Sequence, residues 1–555
     1  MAYYISLNRT PGVRLLSCGT ADIRHKEVAS MNSRFFGTFK KLGILCAAAG
    51  CAAAFTLTVN AAIVQQLAGY RGDLNGDFAV NLQDAELMQQ YLCAESELVC
   101  EGQYADLDHS ETISAVDLTL LKRGAFRGTE PEGIYTDVEI PDPQLIDPPI
   151  QAIKPKLPSV GEPRILLIEV DFPDFEHDEG FTTEQIRERT FGPEDLYNAA
   201  YPVESISAYY KRASYGHLNL QGDVYQCLVR YGLDTFVNDF DMLLDEVLLG
   251  LDGMIDYNDY DANGDGIMDT VILALPGSAE GRDVNGDGTE DWWPCSGGYT
   301  GYRRFDGVKP GNLCIGACNL NDRSGFNSTW IHELGHAMGL PDYYKYKNYS
   351  ANESDGLSGN YGWEMMDDAW GDMSSFSKLM LGWYYDSDIQ IYTGGNQTFT
   401  IKSYEFEPSF ILIPRGDLND FHSEYFIIEV EKPEGNNTAY FYDSKRYRMF
   451  TVTAARILHC NAELWNGYWG PELKWYNYGQ MYDDSNEKQR VLRMVTENGG
   501  GYRAGSVIDY NSEGFAWYDN NGDLTVDPGI TITFESLADD GTCVVTISEN
   551  IEDVN

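Results

Sequence analysis

The chain has 555 residues, which predicts several domains, since one domain usually contains about 100–200 residues. Its composition, 43% hydrophobic and 23% charged, excludes disorder of the whole chain. With 39 Lys plus Arg against 86 Asp plus Glu, the net charge is −47, which excludes nucleic acid and anionic membrane surfaces as favourable partners. The acids either solvate the surface or bind hard cations, and their spacing separates these two roles.

Residues 1–61 predict an N-terminal extension that ends in a secretion signal. From Met31 a basic start leads into the mostly apolar run 42–59, and Val59-Asn60-Ala61 is a small-x-small cleavage site. We therefore expect Met31 to be the true start and the protein to be secreted and extracellular. A lipoprotein signal before Cys51 and a retained membrane anchor are the alternatives, and only the anchor would place the chain in a membrane.

Eight cysteines follow the cleavage site, an even number that permits disulfides in an exported chain. They are Cys93, Cys100, Cys227, Cys295, Cys314, Cys318, Cys460 and Cys543. Cys93–Cys100 and Cys314–Cys318 are close enough for local bridges, and buried free thiols are the alternative. The Cys314/Cys318 spacing also suggests metal ligands, but the absence of a second pair disfavours zinc.

An acidic loop occurs twice, at 73–84 and 106–117, and each copy leads into a helix with apolar spacing. Oxygen ligands recur at the positions that wrap one calcium in an EF-hand-like loop, with the carbonyl of position 7 completing the set. The expected calcium ligands are Asp73, Asn75, Asp77, Ala79, Asn81 and Asp84 in the first loop, and Asp106, Asp108, Ser110, Thr112, Ser114 and Asp117 in the second.

Residues 70–127 resemble a dockerin, the module that attaches cellulosomal enzymes to cohesin domains of a scaffolding protein. The resemblance implies two Ca²⁺ ions, a cohesin partner and a docking surface that includes 121–123. Phe78 departs from the family, which usually has Gly there. The pairs that help to choose the cohesin, 82–83 and 115–116, differ from each other, so the two faces are not expected to be interchangeable.

The remaining chain divides into a linker and two larger regions. Residues 128–160 are rich in Pro and acids, which predicts a stiff extended linker. Buried strands and a helix at 329–340 predict an α+β domain over 161–390. Period-2 runs after about residue 400 predict an all-β region over 391–555.

The stretch TWIHELGHAMGLPDYY contains the most informative motif, HExxHxxGxxD. His332 and His336 are four apart and share one helix face, where two imidazoles can bind one Zn²⁺. Gly339 lets the chain turn, and Asp342 stands where an extended zincin motif places its third ligand. Glu333 can reach a metal-activated water as general base and pass its proton to the leaving amine.

Residues 161–385 resemble the immune-inhibitor-A-type family of secreted bacterial metallopeptidases, which implies a metzincin-like domain. The matching segments are 205–225, 260–269, 332–344, 361–368 and 376–384. The resemblance implies one catalytic zinc on His332, His336 and Asp342, with Glu333 as the acid/base. It implies a Met-turn at Met366, with Met365 as the alternative register.

Further acidic loops predict one or two Ca²⁺ ions in the catalytic region. The expected ligands are Asp261, Asn263, Asp265, Ile267 and Asp269 in one loop, and Asp283, Asn285, Asp287 and Asp291 in the next. A third acidic run at 519–527 lacks the glycine and is a weaker candidate, with an Asn-Gly turn as the alternative.

The leading interpretation is a secreted zinc endopeptidase with a peptide or protein substrate, docked on a cellulosome-like scaffold. One alternative is a scaffold-attached binding protein with an inactive protease domain. The other is a carbohydrate-active cellulosomal enzyme, although no pair of carboxylates stands out for glycoside hydrolysis. Tyr343, Tyr344 and Tyr361 are equivalent candidates for stabilising the oxyanion.

Overall fold

The computed structural model describes residues 13–14, 62–76, 79–94, 100, 102–110, 112–127, 132–140, 143–153, 157–177, 182–237, 239–277, 294–318, 325–344, 364–438, 440–442, 445–447, 452–467, 470–476, 489–496 and 501–550. The predicted secretion signal, Asp77, Phe78, the calcium loop at 283–291 and Tyr361 lie outside these residues. Within them, no helix is both long and apolar enough to cross a membrane.

The chain forms two compact units, residues 1–143 and 144–555. The strands of the first unit are β1 (Val13–Arg14), β2 (Ala62–Tyr70) and β3 (Gly133–Ile140), and its helices are α1 (Leu82–Leu92), α2 (Gly102–Ala105) and α3 (Ala115–Arg127). Strand β2 pairs antiparallel with both β1 and β3.

The helices of the first unit enclose a small core. Helix α1 begins at Asn81, whose side chain accepts from Gln83 N, while Asp84 accepts from Asn81 N in return. The buried core residues are Leu74, Ala85, Met88, Ala105 and Leu121. The prediction that Leu121 contributes to a docking surface is therefore wrong, because its side chain closes the core between α1 and α3. Its neighbour Arg123 is exposed.

The second unit contains the remaining elements. Its helices are α4 (Thr183–Phe191), α5 (Ile206–Ala213), α6 (Phe240–Leu251), α7 (Gly325–Met338), α8 (Met365–Asp368) and α9 (Ser375–Met380). Its first strands are β4 (Arg164–Asp171), β5 (Gln221–Leu228), β6 (Ile267–Leu275), β7 (Cys295–Gly298) and β8 (Lys309–Ala317). These five form one sheet in the order β5-β4-β6-β8-β7, parallel except for β7.

The C-terminal part consists mostly of strands, which confirms the predicted β-rich region. They are β9 (Ile389–Ile391), β10 (Gln397–Ile401), β11 (Phe410–Pro414), β12 (Glu424–Glu431), β13 (Tyr440–Tyr442), β14 (Lys445–Tyr447), β15 (Ala454–Asn461), β16 (Leu464–Gly467), β17 (Gly470–Leu473), β18 (Leu492–Met494), β19 (Val507–Ile508), β20 (Trp517–Tyr518), β21 (Leu524–Val526), β22 (Ile530–Leu537) and β23 (Cys543–Glu549). A five-stranded sheet, β18-β15-β12-β11-β9, and a four-stranded sheet, β10-β23-β22-β19, enclose one core.

The five-stranded sheet is buried on both faces, whereas its period-2 pattern predicts half-buried strands. Its second face joins the core around α7, through residues such as Leu412, Tyr425 and Leu458. Buried charges explain the polar half of the pattern, since Glu429 and Glu431 both pair with Arg456 inside the protein. Residues 144–555 thus share continuous packing from the parallel sheet to the C-terminal strands.

The second half of the segment predicted as linker differs from an extended spacer. Ile146, Ile150 and Leu157 are buried in the core that contains α7, and Leu157 N donates to Ala337 O at 3.1 Å. The segment includes a 3₁₀ helix at Pro149–Ala152, and the apolar residues between its prolines provide the side chains that pack into the core.

Neither of the two local disulfides that the spacing permits is formed. Cys314 lies in β8 and Cys318 continues it, with Cys318 N donating to Leu275 O at 2.7 Å. Four residues of strand span about 13 Å, which exceeds the roughly 7 Å limit between the Cα atoms of a disulfide. Cys93 and Cys318 each carry a free thiol.

Candidate active site

Helix α7 carries the HExxH motif and is packed closely on the parallel sheet. A Cβ on Gly316 of β8 would come 2.9 Å from the ring of Trp330, so the glycine permits this close approach. The helix ends at Met338, and Gly339, whose φ of +118° is in the left-handed region, provides the predicted turn after it. The turn that follows returns the chain toward the helix, which brings Asp342 back to the motif histidines.

The two histidines and the aspartate meet at one point. His332 Nε2 lies 3.0 Å and His336 Nε2 lies 3.2 Å from Asp342 Oδ1. The two imidazole planes are nearly perpendicular, at 88°, with 4.8 Å between ring centroids. Nitrogen and oxygen ligands at this separation suit a tetrahedral metal ion. The structure thus brings together the three zinc ligands that the sequence predicts.

The tautomers of the two histidines support a cation at this point. His332 Nδ1 lies 2.8 Å from Met365 O, and His336 Nδ1 lies 2.8 Å from Leu340 O, so each Nδ1–H donates to a carbonyl. If each imidazole is neutral, its unprotonated Nε2 points at Asp342 Oδ1. The nitrogen lone pair and the carboxylate oxygen are both acceptors, so they repel each other unless a cation lies between them. The donor set therefore fits Zn²⁺.

The electrostatics of the cluster lead to the same conclusion. Burial opposes protonation of His332, but the hydrogen bond to Asp342 and the charge of Glu333 raise its pKa to about 9. Burial also opposes ionisation of Asp342, yet the hydrogen bonds from both histidines hold its pKa well below the usual range. The site therefore favours positive charge beside Asp342, whether that charge is a proton or a metal ion.

Glu333 lies next to His332 in the sequence, and one of its carboxylate oxygens accepts no hydrogen bond. Its side chain is buried, and burial raises the pKa of its carboxyl above the ordinary value. The atom Oε2 has no hydrogen-bond partner. A buried carboxylate oxygen without a partner is costly, so such an atom is typical of a site that receives substrate or water.

Helix α8 packs against α7 and carries both candidates for the predicted Met-turn, Met365 and Met366. A Cβ on Gly335 would come 2.3 Å from Met366 Sδ, so this sulfur is packed against α7 at the glycine that precedes His336. Met365 contributes its carbonyl to His332 and is equally buried. The contact with Gly335 involves Met366 rather than Met365, so the geometry agrees with Met366 as the preferred candidate for the Met-turn.

Glu364 is a positioning residue that sequence reasoning missed. It is fully buried, accepts from Met366 N, and also accepts from Ser377 Oγ at 2.5 Å and Ser374 N at 3.2 Å. Burial raises the pKa of its carboxyl to about 7, although these hydrogen bonds oppose the shift. No spacing in the sequence distinguishes this glutamate from a surface residue, because two of its partners, Ser374 and Ser377, come from the start of α9, ten or more positions away.

The structure separates the tyrosines proposed for oxyanion stabilisation. Tyr343 is fully buried and its hydroxyl lies 3.0 Å from Ser377 Oγ, which directs it into the core. Tyr344 stacks against His332 with 6.3 Å between ring centroids and is only half-buried. Of these two, Tyr344 is therefore the one beside the metal ligands.

A cleft of about 290 Å³ opens beside His336 and Asp342. One wall is β7 with residues Ser296–Gly298, and β7 is the edge strand of its sheet within the described part of the chain. Glu472 and Tyr476 from the β-rich region also line the cleft. Sequence reasoning missed these last two residues, since they are about 130 positions from the motif and follow no pattern linked to it.

The two repeated loops of the first unit have matching hydrogen bonds. Asp84 Oδ1 accepts from Leu74 N at 2.9 Å, and Asp117 Oδ1 accepts from Leu107 N at 2.8 Å. The carboxylates of Asp106, Asp108 and Asp117 come within 4.8 Å of one another. The same comparison cannot be made for the first loop, because its third expected carboxylate, Asp77, lies outside the described residues.

The acidic loop at 261–269 uses its own carboxylates to bind its backbone. Asp261 Oδ2 accepts from Gly266 N at 2.8 Å, and Asp269 Oδ2 accepts from Ala262 N at 2.9 Å. Burial, together with Asp261 and Asp265, raises the pKa of Asp269 to about 7. The carboxylates of Asp261, Asp265 and Asp269 do not all come within 4.8 Å of one another, so they are farther apart than the three carboxylates of the loop at 106–117.

Two family models match the chain. A dockerin type I domain matches residues 71–124, and Peptidase M66 matches residues 306–378. The first match covers both acidic loops, and the second runs from β8 through α7 and α8 into α9. No curated protein matches the chain. The matches confirm both resemblances, to a dockerin and to a metallopeptidase of the immune-inhibitor-A type.

Proposed function

We propose that this chain, which joins a dockerin type I domain to a peptidase of M66 type, is a secreted zinc-dependent endopeptidase attached to a cohesin-bearing scaffold. One observation carries the catalytic part of the proposal. The Nε2 atoms of His332 and His336 converge on Asp342 while their Nδ1 atoms are bound to carbonyls. This donor set together with Glu333 supports a peptidase over an inactive binding protein, which needs neither.

The residues of the chain have separate tasks in peptide hydrolysis. When bound, a zinc ion supplies a Lewis acid that polarises the scissile carbonyl and lowers the pKa of water. Glu333 takes the proton of the attacking water and delivers it to the leaving amine, and burial makes its carboxylate more basic. Met365 and Leu340 hold the histidine rings in place through their carbonyls.

The cleft supports an extended peptide as substrate. Edge strand β7 offers backbone groups with which a peptide can pair, in the way that other clefts bind peptides by strand addition. Strand addition uses backbone groups of the peptide and needs no chain terminus, so an internal segment of a chain can bind in this way. This mode of binding favours an endopeptidase over an enzyme that removes terminal residues.

The docking part of the proposal is supported by the exposed ends of α1 and α3. Leu82 is 54% exposed and Val116 is 53% exposed, and both belong to the pairs expected to choose the cohesin. We assign two calcium ions to the loops at 73–84 and 106–117, which would hold these helix ends in place.

Removal of the metal tests the catalytic proposal. We expect 1,10-phenanthroline to abolish casein hydrolysis by the full chain, and added Zn²⁺ to restore it, because the water and the carbonyl lose their activating cation. Full activity in metal-free protein would contradict the proposal. Cleavage of plant polysaccharides with no casein hydrolysis would favour the carbohydrate-active alternative.

We also propose calcium binding at 261–269, with 283–291 as a second candidate. Ca²⁺ should raise the melting temperature of the catalytic unit, and Asp265→Ala should reduce that rise by on the order of 5 °C, because it removes a ligand that binds only the folded state. Asp234→Ala removes an exposed acid elsewhere and should leave the rise unchanged. Equal calcium responses in wild type and Asp265→Ala would contradict the site.

A further inference from the structure

A second group of metal-binding side chains lies at the carboxyl edge of the parallel sheet. Strands β4, β6 and β8 run in the same direction, so their carboxyl ends meet at this edge. Glu169 is near the end of β4, and Cys318 directly follows β8. His177 reaches the same place from the loop after β4. Three residues that are far apart in the sequence are therefore neighbours.

The group is buried and its ligand atoms are close together. Glu169 is 2% exposed, Cys318 is 3% exposed and the side chain of His177 is 5% exposed. One ligand atom from each of the three lies within 4.8 Å of the others. Small side-chain rotations bring such atoms to the roughly 2.0–2.3 Å at which nitrogen, oxygen and sulfur bind Zn²⁺.

The imidazole of His177 is oriented by Asp171. Asp171 Oδ1 lies 2.8 Å from Nδ1 and also accepts from the backbone N of His177 at 2.8 Å. Gln226 donates to the other oxygen of the same carboxylate at 2.9 Å, which holds it in place. A carboxylate on one ring nitrogen is the usual support of a metal-binding histidine.

The other ring nitrogen has no partner. His177 Nε2 is buried without a hydrogen bond. If the ring is protonated, Nε2–H lacks an acceptor, and if the ring is neutral with its proton on Nδ1, the Nε2 lone pair lacks a donor. An ion pair with Asp171 and Glu169 alone leaves this cost in place. A cation at Nε2 removes it.

We propose that Glu169, His177 and Cys318 form a second zinc site, separate from the HExxH motif, with Asp171 as its positioning residue. Thiolate and imidazole ligands favour zinc, whereas Ca²⁺ binds oxygen ligands almost exclusively. On binding, the Cys318 thiol releases its proton to solvent and the sulfur–metal bond forms. No change of oxidation state is involved.

The site joins segments that lead to the active site. Cys318 directly follows β8, and α7, which carries His332, begins at residue 325. A metal bound by Cys318 and His177 would connect the C-terminal end of β8 to the loop that follows β4. The role of this metal is thus structural, because it stabilises the end of β8, the strand that precedes α7.

Cobalt substitution of the full-length protein tests this site. Co²⁺ bound to a thiolate absorbs in the near ultraviolet, whereas His332, His336 and Asp342 include no sulfur. We expect this band in the cobalt-substituted wild type and not in cobalt-substituted Cys318→Ser. When purified with zinc, Cys318→Ser should contain one equivalent of zinc less than the wild type. Cys227→Ser and Cys93→Ser should retain the band, since neither thiol belongs to the group. His332→Ala with His336→Ala should also retain it, which separates this site from the peptidase proposal.

Two further variants keep the test decisive if Cys318→Ser does not fold. His177→Gln should also lose the band. Asp171→Asn keeps all three ligands and should weaken cobalt binding by about 10–100-fold. No thiolate band in the wild type, or a band that persists in Cys318→Ser, would overturn the second zinc site, as would zinc content unchanged in both Cys318→Ser and His177→Gln.

Discussion

Glu333→Gln should lower the rate of peptide cleavage by about 10²–10⁴-fold, the usual contribution of a general acid–base. The amide cannot take a proton from water, although it fills the same buried space beside His332. The zinc content should stay at the wild-type value, because Glu333 is not one of the three residues that converge on the metal position. Steady-state kinetics on a peptide, with metal analysis of the same sample, measures both quantities.

Glu184→Gln is a matched control for this variant. Glu184 lies on α4, is exposed and undergoes the same change of side chain, so its activity should equal that of the wild type. A Glu333→Gln protein that keeps its zinc and cleaves at the wild-type rate would remove Glu333 from the base role. A variant that loses its zinc would instead show that Glu333 acts through the metal site.

Asp73→Ala combined with Asp106→Ala should lower cohesin affinity by at least about 100-fold, because in a module this small the free energy of metal binding is also folding free energy. Both residues begin a loop, and Asp106 is one of three carboxylates that converge in the second loop. Peptide cleavage should remain close to the wild-type rate, since the catalytic residues belong to the other compact unit.

A pull-down against a panel of cohesins, with and without EGTA, measures this effect. Glu86→Ala is the matched control, because it removes an exposed acid from α1 and leaves both loops intact. Its cohesin binding should match that of the wild type. Binding that survives EGTA in the wild-type protein, or that persists in the double variant, would contradict the dockerin assignment to residues 71–124.

Local patterns predicted the features that depend on neighbouring residues. A histidine pair four apart must share one helix face, so the cluster of His332, His336 and Asp342 followed from spacing and one turn at Gly339. The helices that follow the acidic segments 73–84 and 106–117 were predicted from the apolar spacing within each helix. The strands of the C-terminal region were also predicted, since their side chains alternate along the chain.

Features that depend on distant residues were decided only by the tertiary structure. The burial of Leu121 was one, and so was the packing of the segment around Ile150 onto α7. Glu364 is buried and accepts several hydrogen bonds because α8 and α9 pack against each other around its side chain. Cys318 meets His177, 141 positions away, because parallel strands end at the same edge of a sheet. Periodicity predicts which face of an element is buried, but strand order decides which distant side chains share that buried space.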